Sequence, residues 1–149
     1  MAELRVGLEA LHSLSPADRA QALLSAQENQ WFERKSFRVS PEKLAAAIIG
    51  FANAEGGVIA VGLSEGEVET LPPEKTLNQL RRTPHDWCSP IPRTRFDAIE
   101  VETPTGTSEL LLVEVEPGEA LHETRSGEVF LRVGDSTMRL NATQRDELA

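Results

Sequence analysis

The chain has 149 residues, 40% of them hydrophobic and 26% charged, with a formal net charge of −9 at pH 7. That length and balance fit one globular domain, able to bury ~70% of its unfolded surface without covalent staples. A single cysteine, Cys88, excludes an internal disulfide and suits a reducing compartment. No apolar run reaches the ~18 residues of a membrane span, and Met1 to Arg5 lacks a signal-peptide pattern, so the expected location is cytoplasmic.

The first dozen residues are amphipathic but uncapped. Ser15-Pro16 starts a helix, with Ser as N-cap, Pro at the first helical position and Asp18 against the dipole. Its apolar stripe, Ala20, Leu23 and Leu24, runs to about Gln27. Trp31 to Phe37 alternates as a strand does, with Trp31, Glu33, Lys35 and Phe37 on one face. Ser40-Pro41-Glu42 starts a second helix, and Leu44, Ile48, Phe51 and Ala52 give it a buried stripe. Gly56-Gly57 ends that helix, because glycine accepts the left-handed C-terminal conformation. Asn53 beside it is expected to bond local turn backbone. Val58 to Leu63, containing Gly62, reads as a short buried strand.

Ser64 to Glu69 reads as an acidic turn around Gly66, and Pro72-Pro73 precedes a helix from about Glu74 to Arg82. Pro84 to Pro92 reads as a Pro-rich loop holding Trp87 and Cys88, the thiol acting as a small buried hydrophobe. Thr94 to Glu102 and Glu109 to Glu116 make a hairpin about Pro104-Thr105-Gly106. A strand follows from Val129 to Val133, and Asn141 caps a short last helix. The expectation is an α/β (α+β) domain with a mixed sheet of about five to six strands and three to four helices. Residues 1–27 would form a helical segment packed on a domain spanning 28–149.

Charge is unevenly spread. Between Leu71 and Asp97 there are five cations, Lys75, Arg81, Arg82, Arg93 and Arg95, against three carboxylates, on an otherwise acidic chain. Phosphate binding depends on such local distribution rather than on the total. Arg132 stands just before Gly134, where a guanidinium can clamp a phosphate or pair with a carboxylate.

Four segments line up in order: Glu28 to Lys35 (ENQWFERK), Gly50 to Gly57 (GFANAEGG), Val58 to Leu63 (VIAVGL) and Phe130 to Thr137 (FLRVGDST). Together they resemble the Schlafen AlbA_2 family, a DNA-binding domain of bacterial regulators that also forms the core of the Schlafen proteins. The resemblance runs from about Glu28 to Leu148. It implies a nucleic-acid-binding, transcription-regulatory module. From the charge along the chain, such a module would use Arg34, Lys35, Arg38 and Arg132 with part of the segment holding Arg81, Arg82, Arg93 and Arg95 on backbone phosphates of DNA or RNA. It also marks Asn53, Gly56, Gly57, Gly62 and Gly134 as motif positions.

Some Schlafen proteins resemble metal-dependent RNA endonucleases, in which two glutamates at a five-residue offset and a third acid hold Mg²⁺ or Mn²⁺. That implies Glu28 and Glu33 as metal ligands and Glu28, Glu33 and Glu65 as catalytic carboxylates. The chain departs from the pattern at Ser64-Glu65, where the family carries its acidic pair, so either Glu65 substitutes for it or the metal site is incomplete, and at Arg34, where the family usually carries Phe. The bland alternative pairs Glu33 with Lys35 or Arg34 and leaves Glu28 solvated at a helix end. Whether the chain is an enzyme stays open, as does a third reading, a non-catalytic homodimerisation module using an open sheet edge. An ATP site is not expected, since no G-x-x-x-x-G-K-[ST] run occurs.

Overall fold

A computed structural model describes residues 8–149. The amphipathic segment of the first dozen residues therefore lies mostly outside the described residues. A short helix α1 (Leu8–His12) leads to α2 (Pro16–Ser25), whose cap is Ser15 Oγ accepting the Asp18 N–H at 3.2 Å. Strand β1 (Phe32–Lys35) is followed by α3 (Pro41–Ala52), capped in the same way by Ser40 Oγ on Lys43 N–H. Strand β2 (Gly57–Val61) returns parallel to β1.

Next come the ribbon β3 (Leu63–Ser64) and β4 (Glu67–Val68), then helices α4 (Glu74–Arg81) and α5 (Thr83–Trp87). Strand β5 (Cys88–Ser89) precedes the long hairpin β6 (Thr94–Thr103) and β7 (Gly106–Val115). The chain finishes with β8 (Glu123–Thr124), β9 (Phe130–Val133), β10 (Ser136–Arg139) and α6 (Ala142–Leu148). Asn141 caps α6 with a full capping box through Gln144.

The main sheet has the order β1-β2-β7-β6, mixed in sense, and three two-strand ribbons stand apart from it: β3/β4, β5/β8 and β9/β10. The sheet separates two cores. On one face, Leu11, Leu23 and Ala26 pack on Phe32, Val58, Ala60, Ile99 and Leu112. On the other, Leu44, Ile48 and Phe51 of α3 and Leu77 and Leu80 of α4 pack on Ile59, Val61, Leu111 and Val113. Helix α3 is buried on its far side too, where Ala45 and Ile49 meet Cys88, Trp87 and Phe130. A helix apolar nearly all round has to be covered all round. Here the second cover is α5 with the β9/β10 ribbon.

Three segments differ from the sequence-based expectation. Pro84 to Pro92 is not a loop throughout: residues 83–87 form α5 and 88–89 form β5. Proline near a helix start lacks only an N–H that would be unpaired anyway, so Pro84 does not oppose α5. The acidic turn at Glu65-Gly66 joins two short paired strands. The segment after Gly134 folds back as β10, with Thr137 opposite Arg132. Among the described residues, no helix is long and apolar enough to cross a membrane.

Candidate functional site

Alternation along β1 sends Phe32 into the α1/α2 core and Glu33 to the α3 side. Glu33 is 6% exposed, and beneath it lies Arg132, 2% exposed, brought in by β9. The Arg132 guanidinium pairs with Glu33 Oε1. Its Nε and Nη2 donate to the Asn29 carbonyl at 3.1 and 2.8 Å, and Nη2 also donates to the Phe32 carbonyl at 3.0 Å. Its carbon lies 4.8 Å from the centroid of the Phe51 ring. The Lys35 ammonium stands 2.9 Å from the other Glu33 oxygen.

Gln30 fastens the ribbon itself. Its Nε2 donates to the Arg132 carbonyl (2.9 Å), and its Oε1 accepts the Gly134 N–H (2.8 Å). A buried guanidinium with this set of partners has no face left for a phosphate. Its work is to tie β9/β10 to the sheet, and Glu33 is committed to it.

Glu28 and Glu65 have other surroundings. Glu28 Oε2 accepts the Arg34 N–H at 2.8 Å, bonding backbone of β1, one of the two edge strands of the sheet. The Arg34 side chain crosses to the opposite face and donates to the Leu23 and Ala26 carbonyls at the end of α2. Glu65 sits at the exposed tip of the β3/β4 turn with φ of 51°. Among the described residues, no three His, Cys, Asp or Glu side chains come together as a metal could use them. The donor set Glu28, Glu33 and Glu65 therefore does not fit Mg²⁺ or Mn²⁺, and no hydrolytic step follows from it.

Asn53 bonds across the fold rather than to its own turn. Its Nδ2 donates to the His122 and Phe130 carbonyls, both at 2.9 Å, and its Oδ1 accepts the His122 N–H at 2.8 Å. His122 is buried, and its Nδ1 lies 2.7 Å from the Pro90 carbonyl. Gly56 has φ of 76°, and a Cβ there would meet the Val115 carbonyl at 2.6 Å. Gly62 turns the chain away from the sheet at φ of 119°.

The remaining candidate arginines are at the surface, each near a carboxylate. Arg38 lies 3.6 Å from Glu69, Arg81 3.0 Å from Glu74, Arg82 3.3 Å from Asp86, Arg93 3.9 Å from Glu116 and Arg95 4.0 Å from Glu114. They do not share one face. Helix α4, carrying Arg81, packs on the α3 side of the sheet, while Arg95 alternates with Phe96 and points to the other side.

The Schlafen, AlbA_2 family model matches residues 28–141. The chain belongs to the Schlafen AlbA_2 family. No curated protein matches it. Among solved structures, the DIP2311 protein from Corynebacterium diphtheriae is similar, with a TM-score of 0.59 and 20% identity. The match covers 95% of this chain and 30% of that one, and at this identity the likeness is one of fold. The membership makes this a nucleic-acid-related domain at the level of the family.

Within this AlbA_2 domain, several residues that organise the site carry no strong sequence signal. Glu69 accepts the Ser36 hydroxyl and the Phe37 N–H, both at 2.6 Å, and so shapes the loop between β1 and α3. Burial works against its charge, but these bonds, with Ser64 and Arg38 close by, outweigh it and hold the carboxyl below its ordinary 4.5. Gln30 and Thr137 are likewise ordinary polar residues in the sequence. The only hint for either was membership of a motif segment.

Proposed function

We propose that this AlbA_2 domain associates with nucleic acid through backbone phosphates, using surface arginines, and does not cleave it. One observation carries the reading. The side chains of Arg38, Arg82 and Arg93 are 84%, 68% and 81% exposed, and their carboxylate partners stand 3.3–3.9 Å away. Cations this exposed are held weakly by such pairs, so a phosphate can replace the carboxylate at little cost. Contacts of this kind position a protein on a strand without reading its sequence. The buried Glu33–Arg132 pair supports the non-cleaving half of the proposal, since Glu33 already has two cations beside it.

The test is fluorescence anisotropy with labelled single- and double-stranded DNA and RNA over a range of salt. Each phosphate contact adds about −0.9 to the slope of log K against log salt on duplex DNA. The triple variant Arg38→Glu, Arg82→Glu, Arg93→Glu should lose binding with its thermal midpoint unchanged. Absence of binding at low salt by the parent chain overturns the association. Cleavage of structured RNA that requires Mn²⁺ and disappears in Glu28→Gln overturns the non-catalytic half.

A further inference from the structure

The β6/β7 hairpin outruns its neighbour. Strand β2 pairs with β7 only as far as Val61 opposite Leu111, whereas β6 stays paired down to Gly106. Among the described residues, residues 106–110 of β7 therefore have a strand on one side alone, leaving about 17 Å of sheet edge at ~3.4 Å per residue. The chain that would have covered it leaves at Gly62 and forms the β3/β4 ribbon. The segment facing the edge, residues 68–71, turns its own bond elsewhere: Glu69 N–H donates to the Gly62 carbonyl at 2.8 Å.

Between this segment and the edge lies a cavity of about 420 Å³, with Val68, Thr70, Leu71, Thr107 and Ser108 in its walls. Leu71 is 40% exposed there. A second cavity of about 440 Å³ continues from it under the ribbon, sharing Val68, Thr103 and Thr105 and reaching Leu24 of α2. The result is a trench with a strand edge along one wall and apolar footing at intervals.

Its charge is one-sided. Among the described residues, no Lys, Arg or His lines either cavity. Glu67 and Glu102 line one and Glu109 the other, all three exposed, and among the described residues none of them is in an ion pair with a cation, while the fourth lining acid, Glu69, is turned to Ser36, Phe37 and Arg38. Carboxylates so placed repel phosphate, so this is not the surface of the nucleic-acid reading. They also disfavour a second copy of a chain with net charge −9.

We propose that this trench receives an extended basic peptide segment of another protein, added as a strand to residues 106–110 of β7. Strand addition supplies the main-chain hydrogen bonds, while alternate side chains of the guest settle on Val68 and Leu71 or reach Glu67, Glu102 and Glu109. The long outer edge of β6 is a poorer host. It carries Arg95 and Asp97, both signs of charge, and Arg19 Nη1 already donates to its Glu100 carbonyl at 3.1 Å.

The experiment uses the full chain and two labelled eight-residue peptides, one alternating lysine with valine and one alternating glutamate with valine. Anisotropy should detect the basic peptide only. Amide hydrogen exchange should show new protection at residues 106–110 and none along β6. Reversing the trench, with Glu67→Lys, Glu102→Lys and Glu109→Lys, should weaken the basic peptide by about tenfold or more. An equal change of net charge elsewhere, with Glu119→Lys, Asp135→Lys and Asp146→Lys, should leave it within about twofold, which separates the trench from the acidity of the whole chain. Equal weakening by the two triple variants overturns the proposal, as does protection that falls on β6. Protection of residues 106–110 that grows with protein concentration without peptide also overturns it, because the trench then takes a second copy. None of these three results touches the nucleic-acid reading, whose arginines are not among the residues lining the trench.

Discussion

Glu33 and Arg132 are 99 residues apart in sequence and form a buried ion pair that joins β1 to the β9/β10 ribbon. The pair links two of the segments that mark the AlbA_2 family. It gives both residues a physical reason to be where they are: an acid on the inward face of a strand needs a cation, and a cation in a core needs an acid and carbonyls.

Removing one partner should therefore be costly. Arg132→Met leaves Glu33 with Lys35 as its one remaining cation and strips bonds from the Asn29 and Phe32 carbonyls. The expected loss is about 3–5 kcal/mol in urea unfolding, and the double variant Glu33→Leu, Arg132→Met should recover a good part of it. A single-variant loss below about 1 kcal/mol would show that the pair is not holding the ribbon.

Asn53 should behave as a long-range fastener. Asn53→Ala removes three hydrogen bonds to His122 and Phe130 and should cost about 2–3 kcal/mol. Asn53→Asp should give no rescue, since it turns a carboxylate oxygen toward two carbonyls. Chemical denaturation of the two variants checks this, and a parent-like Asn53→Asp would assign the residue to its own turn instead.

Glu69 should make stability depend on acid. Its carboxyl sits below the ordinary 4.5 in the folded chain, so the folded state favours the charged form. The resulting stabilisation is present above that ordinary value and is lost as pH falls through the lower folded one. Urea midpoints measured between about pH 7 and 3 should drop at the acid end, and less so in Glu69→Gln. Parallel curves for the two proteins would contradict the assignment.

Cys88 should be inert in the native chain. Burial pushes its thiol up to about 12, partly offset by Arg125, so almost no thiolate exists at pH 8. A thiol reagent such as iodoacetamide should label it only on unfolding, with a rate that follows denaturant. Rapid native labelling at pH 8 would mean that the core of α3, α5 and β9 opens readily.

Sequence alone determined the features whose causes are close along the chain. The Ser15-Pro16 and Ser40-Pro41 starts and the Asn141 cap lie within three residues of the groups they bond. The β6/β7 hairpin and the return at Gly56-Gly57 follow from local turn chemistry and periodicity. Alternation put Glu33 and Lys35 on one strand face, where they stand 2.9 Å apart. What alternation cannot supply is the element that covers that face. Only the tertiary structure brought Arg132 under Glu33, sent Asn53 to His122, left Glu65 at an exposed tip and divided Arg81 and Arg95 between two faces. Each of these depends on which distant segment packs against which, and a charged side chain takes its meaning from the partner it finds there rather than from its neighbours in sequence.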